Sequence, residues 1–203
     1  MTHVCVPTLK RYDLLKNLVA SLPSDVTLHV IDNGQNAGRL RAALDFRIAD
    51  VFTPRAPMGV AESWNWFIEN VPEERVIAND DVTFAPDSLE KLIASDADLI
   101  WAAGCGFSCF VLRDSCVKKV GLFDETISPG YGYYEDEDYM QRIDGKGTRQ
   151  PLIRAAEVDC GVVHLKSQTL AERTPAEMQE HHHKFWTAQT NYIKKWNLER
   201  TFR

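Results

Sequence analysis

Two acidic groups in this sequence have residue types suited to chemistry. One is Asn79-Asp80-Asp81, directly after the apolar run Arg75 to Ala78; the other is Glu135-Asp136-Glu137-Asp138, which follows the glycine- and tyrosine-rich stretch Ser128 to Tyr134. Adjacent carboxylates without a basic neighbour invite a cation, and their hard oxygens suit Mg²⁺ or Mn²⁺. Such an ion most often bridges a diphosphate and neutralises the charge that develops on a departing phosphate oxygen. The second group falls in the first turn of a helix predicted to end at Ile143. There, unpaired backbone N–H groups and the macrodipole favour negative charge. At helical spacing Glu135 and Asp138 share a face, while Asp136 points elsewhere, toward a ligand lying against Gly130-Tyr131-Gly132.

The elements that must position these groups alternate along the chain. Strands are predicted at His3 to Val6, Val26 to Ile31, Ile48 to Thr53, Arg75 to Ala78 and Leu99 to Ala102. Helices fall between them: Asp13 to Val19 stopped by Pro23, Gly38 to Phe46, Gly59 to Asn70 with Trp64, Phe67 and Ile68 on its apolar face, and one starting at Pro86-Asp87. Alternation of this kind predicts an α/β fold: one Rossmann-like domain with a mostly parallel central sheet flanked by helices. After Gly104 the rhythm changes, with a strand at Phe107 to Leu112, a short helix at Asp114 to Val120 and a last strand region from Pro151 to Leu165. A long helix from Thr174 to Trp196 follows, its start marked by Thr174-Pro175 and by Glu177 at capping-box spacing.

Open α/β sheets bind ligands beyond the carboxyl ends of their strands. Pro7-Thr8 with Arg11, then Asp32, then Asn79-Asp80-Asp81 all fall at such ends. Composition narrows the partners further. A chain of 203 residues with a net charge of −6 has room for one sizeable core and carries no basic stripe that would attract nucleic acid. The five cysteines lack C-x-x-C spacing and read as reduced thiols, with Cys105 and Cys109 as small core residues. The sequence starts on a strand-like run with no leader and holds no apolar stretch of bilayer length, which predicts a cytoplasmic protein. His181-His182-His183 are consecutive on a helix, point in different directions and read as solvated surface.

Pro7-Thr8 with Arg11, Val30-Ile31-Asp32-Asn33-Gly34, Asn79-Asp80-Asp81-Val82 and Glu135-Asp136-Glu137-Asp138 with Arg142 stand in the order and spacing of a known family. From about Val4 to His164 the chain resembles the inverting glycosyltransferases of family 2, which have the GT-A nucleotide-sugar fold. The resemblance implies a nucleoside-diphosphate sugar donor, a UDP-sugar in first place, with Mn²⁺ or Mg²⁺ as cofactor. It implies a nucleotide-sugar half at 1–103, an acceptor half at 104–170 and a C-terminal helix at 171–203. Asp32 would accept from the nucleobase edge, and Pro7, Thr8 and Arg11 would line the base and diphosphate pocket. Asn79 stands where the family usually has an acid; Asp80 would hold ribose or metal and Asp81 would be the main metal ligand, with His164 as a further one. Gly59 marks the helix start beside the donor. Pro57 replaces the asparagine usual in relatives two residues ahead of Gly59, and Arg55 is expected to take over a diphosphate contact. Asp136 matches the general base and Glu135 the acid that holds the acceptor; Tyr134 and Trp101 are expected to stack on a sugar face. The Gly130-Tyr131-Gly132 segment is expected to close over bound donor.

A sugar-phosphate nucleotidyltransferase on a similar fold is the competing enzyme reading, and a non-catalytic module that binds nucleotide sugar or glycan the third. The first normally opens with a glycine-rich phosphate loop, and Pro7-Thr8-Leu9-Lys10 has no glycine.

Overall fold

The computed structural model describes residues 2–45, 47–73, 75–144, 152–166 and 173–198. In chain order these form β1 (His3–Thr8), α1 (Tyr12–Ser21), β2 (Thr27–Asp32), α2 (Ala37–Leu44), β3 (Ala49–Phe52), α3 (Val60–Asn70), β4 (Arg75–Ala78), β5 (Val82–Phe84), α4 (Ser88–Ile93) and β6 (Leu99–Ala102). A 3₁₀ turn (Gly106–Ser108) leads into β7 (Cys109–Leu112), then α5 (Asp114–Val120), α6 (Glu135–Ile143), β8 (Ala155–Val158), β9 (Val162–His164) and α7 (Pro175–Trp196).

Seven strands form one sheet in the order β3-β2-β1-β4-β7-β6-β8, parallel except where β7 runs against β4 and β6. The inner strands of the sheet are buried on both faces, and the strand alternation sorts the side chains. Val4, Val6, Val30, Val76 and Val111 enter the core under α1 and α2, whereas Cys5, Ile31, Ile77, Phe110 and Leu112 enter the core under α3 and α6. Trp64, Phe67 and Ile68 of α3 are buried in that second core, as their spacing predicts. The chain therefore has the expected α/β architecture, a mostly parallel sheet flanked by helices.

Three local readings need correction. The strand expected from Phe107 begins at Cys109, because Gly106, at φ 52°, opens a 3₁₀ turn instead. The region Pro151 to Leu165 is two strands, not one: β8 closes the edge of the main sheet, and Gly161, at φ 76°, precedes β9. β9 pairs antiparallel with β5, a strand that sequence periodicity did not indicate. The start of the Pro151 region, and Phe46 at the end of the expected second helix, lie outside the described residues.

A candidate active-site cleft

β1 and β4 are parallel neighbours, so Thr8 and the Asn79-Asp80-Asp81 turn leave the sheet side by side at its carboxyl end. The Thr8 hydroxyl donates to Asp80 Oδ2 at 2.7 Å in a buried contact. Burial pushes the Asp80 carboxyl up to about 7; the Thr8 bond opposes this and the Asp81 charge adds to it. Asp81 turns the other way. The β5–β9 pairing sets Val82 opposite His164, and His164 Nε2 lies 3.2 Å from Asp81 Oδ1. The small second sheet is thus what carries His164 back to the acidic turn.

These residues line a cleft of about 530 Å³ together with Pro7, Asn79, Gly59, Glu135 and Asp136. Asp81 and Asp136, 55 positions apart in the sequence, share that one hollow. Residues of all three expected segments contribute to it, Arg173 being the contribution of the last. Glu135 is buried, accepts from Tyr133 N at 2.5 Å, and is pushed up to about 7 by burial and then by the adjacent Asp136 charge. Asp136 is half-buried, and burial raises its proton affinity too. Asp138 faces away from the cleft, fully buried against Arg142, Trp196 and Lys195.

The loop expected to cover the donor is docked against α3. Val60 N donates to Tyr131 O at 2.6 Å, and a Cβ on Gly59 would stand 2.6 Å from that oxygen, so only glycine fits there. Gly132 is held as tightly: its Cβ would meet Val60 Cγ2 at 2.2 Å. On its other side the loop meets α7. Tyr131 Oη contacts His181 Nδ1 at 2.5 Å, and His181 is 7% exposed, so it is not the solvated residue its helical position suggested.

Five expected site residues do not line the cleft. Asp32 is 1% exposed, with Tyr12 Oη donating to Oδ1 at 2.5 Å and Asn36 N to Oδ2 at 3.1 Å, so both oxygens already serve the β2–α2 turn. Arg11 is buried and forks onto Asp13, with contacts of 2.9 and 2.6 Å. Arg55 is exposed, although its neighbours Pro57, Met58 and Gly59 line the cleft. Trp101 packs against the second core beside Phe107. Tyr134 stacks on Tyr192 at 5.4 Å and accepts from Gln189, which makes it an anchor for α7.

Sequence reasoning missed Asn33, Trp64 and Arg173 as lining residues. Asn33 Oδ1 accepts from Met58 N at 2.9 Å and fixes the approach to α3; its place after Asp32 at a strand end was the available signal. Trp64 had been assigned to the core alone. Nothing local marked Arg173.

Asp81 and His164 offer a carboxylate oxygen and an imidazole nitrogen. Among the described residues no group of three or more His, Cys, Asp or Glu side chains is placed to hold a metal ion. Two protein ligands are too few for a closed structural metal site.

No family model and no curated protein matches the sequence. Solved structures do. The glycosyltransferase GlyE of Streptococcus pneumoniae TIGR4 superposes with a TM-score of 0.52 at 8% identity, over 100% of this chain and 66% of that one. HddC from Yersinia pseudotuberculosis gives a TM-score of 0.46 at 10% identity, covering 91% of this chain and 99% of its own. The inositol-1-phosphate CTP transferase from T. maritima gives 0.45 at 12% identity, covering 91% and 96%. The likeness to GlyE shows a shared fold. No described helix is long and apolar enough to cross a membrane.

Proposed function

We propose that this protein is a metal-dependent inverting glycosyltransferase that moves a sugar from a nucleoside-diphosphate sugar to an acceptor hydroxyl. The observation that carries the reading is the convergence of Asp136 and the Asp81–His164 pair on one cleft at the carboxyl end of the sheet. Mn²⁺, or Mg²⁺, bound by Asp81 and His164 would offset the charge of the leaving diphosphate. The protein's own part follows from its residues. Asp136 sits in the cleft with a raised proton affinity and takes the acceptor's proton as that oxygen attacks the anomeric carbon. The bond between that carbon and the diphosphate oxygen breaks on the opposite face, so the anomeric configuration inverts. Glu135 holds its loop through Tyr133 N and lines the cleft next to Asp136 in the chain. Gly59, Gly130 and Tyr131 form one wall of the cleft.

The test is a donor screen by mass spectrometry with Mn²⁺, preceded by thermal stabilisation with UDP, GDP and dTDP. Transfer or hydrolysis of one donor supports the reading. Stabilisation without either points to a binding module, and pyrophosphate release from a nucleoside triphosphate and a sugar phosphate points to a nucleotidyltransferase.

A further inference from the structure

We propose that Arg173 binds phosphoryl oxygens in the cleft, an inference that rests on the nucleotide-sugar reading and adds to it a residue from the C-terminal segment. The described lysine and arginine side chains that line the cleft are Lys10 and Arg173. Lys10 is already committed, with Nζ 2.7 Å from Glu177 Oε1 in a largely exposed pair. Arg173 is half-buried, and among the described residues its hydrogen-bond partner is a neutral phenol: Nη1 donates to Tyr131 Oη at 2.6 Å.

That phenol orients the guanidinium. Tyr131 Oη accepts from Arg173 Nη1 and lies 2.5 Å from His181 Nδ1, so the phenol is held between the guanidinium and the imidazole. Burial, and after it the Arg173 charge, favour neutral His181. The chain Arg173 to Tyr131 to His181 therefore fixes one edge of the guanidinium, and among the described residues its other N–H groups donate no hydrogen bond, with Glu180 near enough to feel its charge. A fork of this kind, charged at every working pH, matches phosphate geometry.

The backbone beside the cleft is partly engaged already. Phosphates often sit on a helix N-terminus. At the start of α3, however, Met58 N donates to Asn33, Gly59 N to Glu62 and Val60 N to Tyr131 O. Those three donors are engaged within the protein. The remaining titratable lining includes Asp80, Asp81, Glu135 and Asp136, each of which repels a phosphate when ionised. Of the two described cationic side chains that line the cleft, Arg173 is the half-buried one and Lys10 is the exposed one paired with Glu177.

Calorimetry with inorganic pyrophosphate on the full chain, with and without Mn²⁺, tests this. Arg173→Gln is expected to weaken binding by about tenfold or more in both conditions. Arg173→Lys should recover only part of the loss, because a point charge replaces the fork. Tyr131→Phe should weaken binding several-fold by freeing the guanidinium. Melting temperatures accompany each variant, and if Arg173→Gln does not fold, Arg173→Lys carries the comparison. Wild-type affinity in folded Arg173→Gln or Arg173→Lys overturns the proposal, as does a wild type that binds no pyrophosphate in either condition. Arg173-dependent binding in a protein that transfers no sugar sustains this inference while the glycosyltransferase reading falls. Sugar transfer with Arg173-independent pyrophosphate binding has the reverse meaning.

Discussion

The indole N–H of Trp196 donates to Asp138 Oδ1 at 2.9 Å, which ties the last turn of α7 to the helix that carries Asp136. Asp138 is 0% exposed and also contacts Arg142 Nε at 3.0 Å and Lys195 Nζ at 2.6 Å. Removing that carboxylate leaves a partly buried guanidinium without its anion. Asp138→Ala is expected to lower stability by about 3 kcal/mol. Urea unfolding measures this, and a loss under about 1 kcal/mol would mean that the tie is not structural.

Asp136 occupies the same helix start with a different duty. Asp136→Asn preserves shape and removes the proton acceptor, so kcat should fall by about 10²- to 10⁴-fold. Metal-dependent binding of the nucleoside diphosphate should stay within about twofold, since Asp136 is not in the metal pair. A variant with most of its turnover intact would reassign the base.

The Asp81–His164 contact predicts a metal response. In wild type, Mn²⁺ should raise the affinity for nucleoside diphosphate, and Asp81→Ala should abolish that increment, a loss of roughly tenfold or more. His164→Ala should reduce it in part. Titration calorimetry with and without EDTA checks both, and an unchanged increment in Asp81→Ala would remove the ion from the site.

Glu135 predicts a pH dependence of stability. Its folded value of about 7 lies above its ordinary 4.5, so between those values the folded protein keeps a proton that the unfolded chain has released. Stability therefore falls as pH rises through that window. Glu135→Gln cannot ionise and keeps an acceptor for Tyr133 N. It should flatten the slope and gain roughly 1–3 kcal/mol near pH 8, with Asp80, shifted the same way, leaving a residual slope. Denaturant melts at pH 5 and pH 8 decide it; equal slopes in wild type and variant would contradict the shift.

Much of the scaffold was legible in the residues. Val4, Val6 and Val30 alternate with Cys5 and Ile31, and Trp64, Phe67 and Ile68 recur at helical spacing, because each pattern reflects neighbours a few residues apart. Thr174 and Glu177 announced the start of α7 for the same local reason, and the capping box is present. β5 was not legible. Val82-Thr83-Phe84 is too short for a period and becomes a strand only through pairing with Val162 to His164. Asp32 was drawn toward the site by its strand-end position, and Trp101 and Tyr134 by residue type, yet Asp32 is engaged by Tyr12, Trp101 by Phe107 and Tyr134 by Tyr192. His181 shows the opposite error, since its helical neighbours are exposed while Tyr131 covers it.

The sequence by itself determined where most strands and helices lie and which acids stand at their ends, since backbone geometry and side-chain period act over a few residues. Tertiary structure alone decided that Asp81 faces His164, that Asp136 opens on the same cleft while Asp138 is sealed by Trp196, and that Arg173 reaches the cleft. Those placements depend on how the two faces of the sheet and the C-terminal helix close on one another. The free energy of that closure is spread over contacts between residues tens of positions apart, which no local pattern encodes.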